Sequence, residues 1–422
     1  MTEYLASVTA LKSMLTDGRN LSECLAGTPP IAKQVSYGVT RNYFSLSKTL
    51  DELLDKPIAK KNDDLKLLLL CGIYSIEHLN RPVYASVNLA VETANGLKKA
   101  WAKGLINGVL RSYLRNQNEI RAGISDLGQE AELNHPQWLI ELISKAWDKK
   151  DIFEANHSRP PMTLRLNSRK TNRAKYQQLL KEAGITSRTG SLTQTSIIVD
   201  EPMSVTEIPG FKKGFVSVQD EGAQVAVPLL DTKPQDRVLD ACAAPGGKTG
   251  HLLEQTDIKV TAIDWNEKRV NKIADNLQRL NLDATILCQD LEKWQTTSKF
   301  NCILLDVPCS ATGIIRRHPE IKLLRTKSDI DILAHKQGLL LSKAFSLLEN
   351  GGELLYSTCS ILPSENDEVI AKFLSSQSGV RQLEINLGQQ GESIIPTQHG
   401  LQLLPTISNH DGFYYAKLRK VR

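Results

Sequence analysis

Long apolar runs are missing from these 422 residues, and without a stretch of eighteen or more hydrophobic residues no membrane-spanning helix is expected. The opening Met1-Thr2-Glu3-Tyr4 has no basic segment followed by an apolar one, so no secretory signal peptide is expected either. There is no CxxC pair, and the seven cysteines are an odd number spread widely. That pattern argues against a disulfide framework and a zinc site, implies no metal, and fits a reducing cytoplasm. Acidic residues are scarce from 155 to 190, where Arg159, Arg165, Arg169, Lys170, Arg173, Lys175, Lys181 and Arg188 face a single acid, Glu182. Such a local excess is an electrostatic footprint for a phosphate backbone, or else a solvated surface that happens to be basic. No internal repeat is evident, and no large apolar stripe demands a partner chain, so a monomer is expected.

With 41% hydrophobic and 23% charged residues the composition is that of a globular protein, and the length exceeds one ordinary core. Residues 1–133 show helical spacing without strand alternation. Ile31, Val35, Val39, Tyr43, Leu46 and Leu50 form one stripe, Val87, Ala90, Val91, Ala94 and Leu97 another, and Leu65–Tyr74 is apolar nearly all round. A bundle of six or seven helices is expected, with Ser86 as an N-cap after Pro82. Residues 134–220 predict a small basic α/β module and linker, with strands at Met162–Asn167 and Ser196–Val199, a helix at Arg173–Ala183, and Phe215–Val218 as a strand entering the next domain. From 221 to 422, buried strands alternate with helices. The strands are Arg237–Ala241, Lys259–Ile263, Ala284–Leu287, Cys302–Leu305, Glu353–Tyr356 and Phe413–Leu418; the helices include Lys248–Glu254, Glu267–Leu280 and Ile330–Leu348. This predicts a Rossmann-like, mostly parallel, doubly wound sheet whose ligands sit beyond the C-terminal strand ends.

Every chemically suggestive motif falls at those ends. Cys242-Ala243-Ala244-Pro245-Gly246-Gly247-Lys248 is a glycine turn between strand and helix, suited to close backbone approach by a ligand. It is not a Walker A loop, which would need glycine where Cys242 stands, nor a GxGxxG dinucleotide turn. Asp264 ends the second strand, where an acid accepts from ribose hydroxyls; Arg269 could support it, although Asp264 or Asn266 could equally cap the next helix. Asp290 follows the third strand and could meet an adenine amino group, and Asp306 closes the fourth. Taken in order, these residues fit S-adenosylmethionine.

Two cysteines follow strands at the same face: Cys309 in Asp306-Val307-Pro308-Cys309-Ser310, and Cys359 in Ser357-Thr358-Cys359-Ser360. A thiolate adding to carbon 6 of cytosine makes carbon 5 nucleophilic enough to take a methyl group, and a second group near the ring can assist release. Residue chemistry alone leaves the order of the two thiols open. Cys24, Cys71, Cys288 and Cys302 are expected to be inert buried hydrophobes, and Cys242 to matter through its backbone.

Cys242–Thr249, Asp306–Gly313 and Tyr356–Ser360 closely resemble the motifs of the Sun-type RNA cytosine-5 methyltransferases. The resemblance implies that Cys359 is the nucleophile, that Cys309 frees the product, and that Asp306 belongs to the catalytic set. It further implies S-adenosylmethionine as cofactor and a specific cytidine of 16S ribosomal RNA as substrate. Gly38–Arg41 and Val83–Asn88 resemble a NusB-type RNA-binding domain at the N-terminus. Arg165, Arg169, Lys170 and Arg173, with Arg316 and Arg317 after the first thiol, are the expected RNA contacts. Two other classes remain: a non-catalytic NusB-like RNA-binding or antitermination factor, and a methyltransferase acting on an amino nitrogen. The first is disfavoured by the intact thiols and acids, the second by Cys309 at a position where such enzymes carry an aromatic residue.

Overall fold

The computed structural model describes residues 2–388 and 391–421. Packing divides the chain into two compact units, one running to Ser158 and including Ile315–Arg325, the other formed by Arg159–Ile314 and the chain from Thr326 on. The first unit therefore extends beyond the division expected at 133 and takes up a segment from the heart of the C-terminal half.

In the first unit, α1 (Glu3–Asp17), α2 (Leu21–Cys24), α3 (Pro30–Arg41), α4 (Tyr43–Glu52), α5 (Asp63–His78), α6 (Val83–Gly96) and α7 (Lys103–Ala122) form the bundle; α8 (Gln129–Leu133), α9 (Gln137–Ala146) and α10 (Asp151–His157) extend it. The stripe from Ile31 to Leu50 belongs to two helices, because the chain breaks at Asn42. Helix α5 is the centre: Leu67, Leu68, Leu69, Leu70, Cys71 and Ile73 are all buried, each large side chain contributing roughly 1.5–3 kcal/mol. Ser86 is not a cap. Helix α6 starts earlier, at Val83 after Pro82, and buried Ser86 accepts a hydrogen bond from Arg81. Among the described residues no helix is long and apolar enough to cross a membrane.

The second unit holds two sheets. β1 (Met162–Leu166), β2 (Ser187–Thr189), β3 (Ser196–Val199) and β4 (Val216–Val218) form an antiparallel sheet in the order β2-β3-β1-β4, with α11 (Arg173–Glu182) between β1 and β2. Val216–Val218 thus closes this module by pairing with β1 and does not enter the next sheet. The second sheet has the order β11-β12-β13-β9-β8-β5-β6-β7, with β10 beside β13. Its strands are β5 (Arg237–Ala241), β6 (Lys259–Asp264), β7 (Thr285–Cys288), β8 (Phe300–Asp306), β9 (Leu348–Thr358), β10 (Val380–Leu383), β11 (Ile394–Pro396), β12 (Leu401–Leu403) and β13 (Phe413–Lys420). The run from β9 to β7 is parallel; β10 to β13 join antiparallel, so the sheet is mixed. Short, partly buried β10 and β11 lack the continuous apolar run that marks a central strand, which is why sequence periodicity missed them. The short helices α12 (Glu221–Gln224) and α13 (Ala226–Leu229) precede β5. The layers over the sheet come from α14 (Gly247–Gln255), α15 (Glu267–Leu280), α17 (Lys327–Ser346) and α18 (Asp367–Ser376), while α16 (Ile321–Leu324) lies in the segment assigned to the first unit. Asn266 caps α15 by accepting from the Arg269 amide, and Thr326 with Asp329 forms a capping box on α17.

Arg165 is not a phosphate contact. Its side chain is fully buried and forms two hydrogen bonds of 2.9–3.0 Å to Glu254, which is also buried, and a third of 2.6 Å to the Gly247 carbonyl at the start of α14. The guanidinium locks the small sheet onto the helix behind the glycine turn, so β1 alternation alone concealed its role. Glu254→Ala leaves this cation buried without its partner and is expected to destabilise the protein by about 3–5 kcal/mol, measurable by denaturant unfolding. Arg165→Met, which removes the charge and keeps the length, is expected to cost less.

Candidate active site

Parallel neighbours β5 and β8 lie where strand order reverses, β6 running off to one side and β9 to the other. Ligands of such sheets bind beyond the strand ends at that point. The turn after β5 is built for close approach. Gly246 has φ +92°, and a Cβ there would meet Ile273 at 3.1 Å. Cys242 and Ala311, neither of them glycine, also hold positive φ (62° and 63°), strain placed at the same end of the sheet.

A cavity of about 160 Å³ opens there, lined by Cys242, Ile263, Asp264, Trp265, Gln289, Asp290, Leu291, Pro308, Lys336 and Leu340. Asp264 is buried; it accepts from the Ala244 amide at 3.2 Å and the Asn266 amide at 3.2 Å, and lies 3.3 Å from Arg269. Arg269 also donates to the Ala244 carbonyl at 2.9 Å, so one acid and one base brace the turn. Of the expected cofactor residues, Cys242, Asp264 and Asp290 line the cavity, whereas Ala243, Ala244, Pro245, Gly246 and Gly247 shape the turn behind it. Trp265, two-thirds exposed, presents a ring immediately after the strand-end acid; its position in sequence could have marked it. Lys336 and Leu340 come from α17 and carry no local signal. Burial and the neighbouring acids Asp264, Asp306 and Asp240 push the Cys242 thiol up to about 12.

Lys248, expected at the cofactor, pairs with Asp306, itself among the expected cofactor residues, with its ammonium 2.6 Å from the carboxylate. Ser357 donates to the other Asp306 oxygen at 3.1 Å. Cys309 and Cys359 meet with their sulfurs 3.4 Å apart; Cys309 is buried and Cys359 half-buried. The Cys309 thiol is held well above the usual thiol range, first by its hydrogen bond to Cys359, then by burial, with the charges of Cys359 and Glu365 adding to it. Cys71 and Cys302 are buried as expected, but Cys288 is exposed and Cys24 half-buried. Cys288 ends β7, the last strand in the sheet order, and its sulfur lies 3.6 Å from the Trp265 carbonyl.

The other expected basic contacts divide. Arg316, like Arg165, is fully buried, and its carbonyl accepts from Arg41 at 2.8 Å inside the helical unit, so its side chain does not meet RNA phosphates. Arg317 is half-buried. Arg169 and Lys170 are exposed, and Arg173 is half-buried with a hydrogen bond to the Thr193 carbonyl. Net basicity counted along a segment could not separate these, since burial depends on the partner strand.

A doubly wound sheet with a cleft beyond its switch point, an acid at the second strand end and two thiols beside it is the architecture of a methyltransferase. The model for the 16S rRNA methyltransferase RsmB/F matches residues 227–419, the associated ferredoxin-like domain matches 135–206, and the NusB family matches 5–115. The ribosomal RNA small subunit methyltransferase B of Pseudomonas syringae pv. tomato is 41% identical over 100% of this chain and 97% of that protein. The crystal structure of PH0851 covers 99% of this chain and 98% of its own at a TM-score of 0.81 and 23% identity, showing the same fold. A methyltransferase homolog protein from Pyrococcus horikoshii covers 69% of this chain and 97% of its own at a TM-score of 0.61 and 28% identity. The chain belongs to the RsmB/F family of 16S rRNA methyltransferases.

Asp240, the penultimate residue of β5, is fully buried. Burial pushes its carboxyl up to about 7, against a 2.6 Å hydrogen bond from Thr249, and Oδ1 has no hydrogen-bond partner. The folded state therefore binds this proton more tightly than the unfolded chain, and the stability it contributes is lost as pH rises from about 4 towards about 7. Asp240→Asn removes that dependence. Its melting temperature relative to the parent is expected to be higher at pH 8 than at pH 5, and an equal difference at both would refute the assignment.

Proposed function

We propose that this protein transfers a methyl group from S-adenosylmethionine to carbon 5 of a cytidine in 16S ribosomal RNA in the cytoplasm, by way of a covalent bond between Cys359 and carbon 6. The observation that carries this reading is the 3.4 Å pairing of two thiols beyond adjacent parallel strands, beside the Lys248–Asp306 pair.

Asp264, Asp290 and the backbone of 243–247 suit the ribose, adenine and amino-acid portions of the cofactor, with Trp265 offering a ring face; when bound, the cofactor supplies an electrophilic sulfonium methyl. Asp306, fixed by Lys248 and Ser357, offers an acceptor to the exocyclic amine of the target base. Cys359 adds to carbon 6, carbon 5 becomes an enamine carbon and takes the methyl group, and the sulfonium electron pair stays on the departing thioether. The proton on carbon 5 is then removed, and the carbon–sulfur bond breaks to restore the ring. The 3.4 Å approach of the Cys309 sulfur to Cys359 supports its role in this last step, since it puts a second thiol beside the atom that bonds the ring.

The target base must leave its stack or lie in a loop to reach both thiol and methyl donor. Arg169 and Lys170 at the surface of the small module, together with Arg173 and Arg317, would hold the backbone, and the NusB-like helical domain would add further contacts. Cys359→Ala is expected to abolish both methylation and covalent capture. Cys309→Ala is expected to accumulate an RNA–protein adduct that survives denaturing electrophoresis. Full turnover by Cys359→Ala would require the roles to be reversed or abandoned.

A further inference from the structure

Beneath the two thiols lies a fully buried carboxylate that the reaction does not touch. Glu365 sits six residues after Cys359, in the short turn leading to α18. Its Oε1 accepts from the backbone amide of Ser310 at 2.7 Å and from Gln337 at 3.0 Å. Its Oε2 accepts from the hydroxyls of Ser310 and of Ser360, the latter at 2.6 Å. Ser310 and Ser360 are the residues immediately after Cys309 and Cys359. One carboxylate therefore grips both thiol turns at the same step past each sulfur, using the four acceptor directions an ionised carboxylate has.

The grip is itself held. Gln337, on α17, donates to the Pro308 carbonyl at 3.0 Å, and Tyr356 donates to the Glu365 carbonyl at 2.7 Å. A glutamate buried this deeply is costly unless every oxygen is satisfied, and here each oxygen has two donors.

We infer that Glu365 is a positioning residue that sets the separation of the two sulfurs by holding the Ser310 and Ser360 turns together. The inference rests on the thiol chemistry proposed above and deepens it: the enzyme must keep Cys309 within reach of carbon 5 after Cys359 has moved onto carbon 6. Glutamine at this position keeps one accepting oxygen and replaces the other by an NH2 that only donates, so the Ser310 and Ser360 hydroxyls must turn round to accept and their charge-assisted bonds are lost. The turns are then held less tightly. Cys359 still adds to the ring, while proton removal and release slow down.

The test follows the ratio of denaturation-resistant adduct to methylated product in steady state, using full-length enzyme, 16S rRNA transcript and S-adenosylmethionine. Loss of folded protein lowers both quantities alike, so the ratio isolates positioning. In Glu365→Gln the ratio is expected to rise about tenfold, approaching the behaviour of Cys309→Ala. The double variant Ser310→Ala with Ser360→Ala, which leaves Glu365 in place, serves if Glu365→Gln does not fold, and the same rise is expected of it. A ratio within roughly threefold of wild type in the folded variant overturns the inference. Full methylation by Cys359→Ala in the same assay overturns the underlying thiol chemistry instead, a result readily told apart from an unchanged ratio.

Discussion

The parallel pairing of β8 with β9, which places Asp306 opposite Ser357, governs everything at the ligand face. Three residues beyond Asp306 comes Cys309, and two beyond Ser357 comes Cys359. Because strand side chains alternate faces, a slip of one residue would turn the acid away from Lys248 and send one thiol turn out of reach of the other. The register is protected from both sides. The apolar Ile303, Leu304, Leu305, Leu354 and Leu355 are fully buried, and β13 pairs along β9 from Glu353 to Thr358. The turns add their own stitches, with the Gly313 amide donating to the Cys359 carbonyl and the Gly412 amide to the Gly313 carbonyl. The latter contact needs glycine, since a Cβ at Gly313 would come within 2.3 Å of the Gly412 carbonyl oxygen.

Polar groups do at this site what apolar packing does beneath it. Asp264 is braced by amides and Arg269, Asp306 by Lys248 and Ser357, and Glu365 by four donors. Directional bonds fix angles as well as distances, which reactive groups require and hydrophobic contact does not provide. Asp240 departs from this arrangement: one oxygen is satisfied by Thr249, the other is not, and burial pushes its carboxyl up to about 7.

Much of the C-terminal half was legible in its residues. Strands β5, β6, β8 and β13 fall within a residue or two of the limits read from apolar runs, and α15 coincides with Glu267–Leu280. These elements are buried on a regular period, so their spacing carries the information. β9 proved longer than its apolar stretch because Leu348–Gly352 extends it past the glycine pair. Boundaries set by docking were less visible. The segment Ile315–Arg325 joins the helical unit, where Lys322 donates to the Arg41 and Asn134 carbonyls, although its Arg316 and Arg317 were expected to meet RNA. Burial draws the Lys322 ammonium down to about 7.

The order of the motifs along the chain determined that a strand, a glycine turn, acids at successive strand ends and two cysteines would share one face, because parallel β-α units deliver every strand's end to the same side. Which cations stay at the surface was decided only by the tertiary fold. Arg165 and Arg316 are chemically indistinguishable from Arg169 until distant residues enclose them, and enclosure depends on what packs opposite, which local sequence does not encode. The 3.4 Å between the two sulfurs belongs to that second category, for it arises where turns fifty residues apart are gripped by the same buried carboxylate.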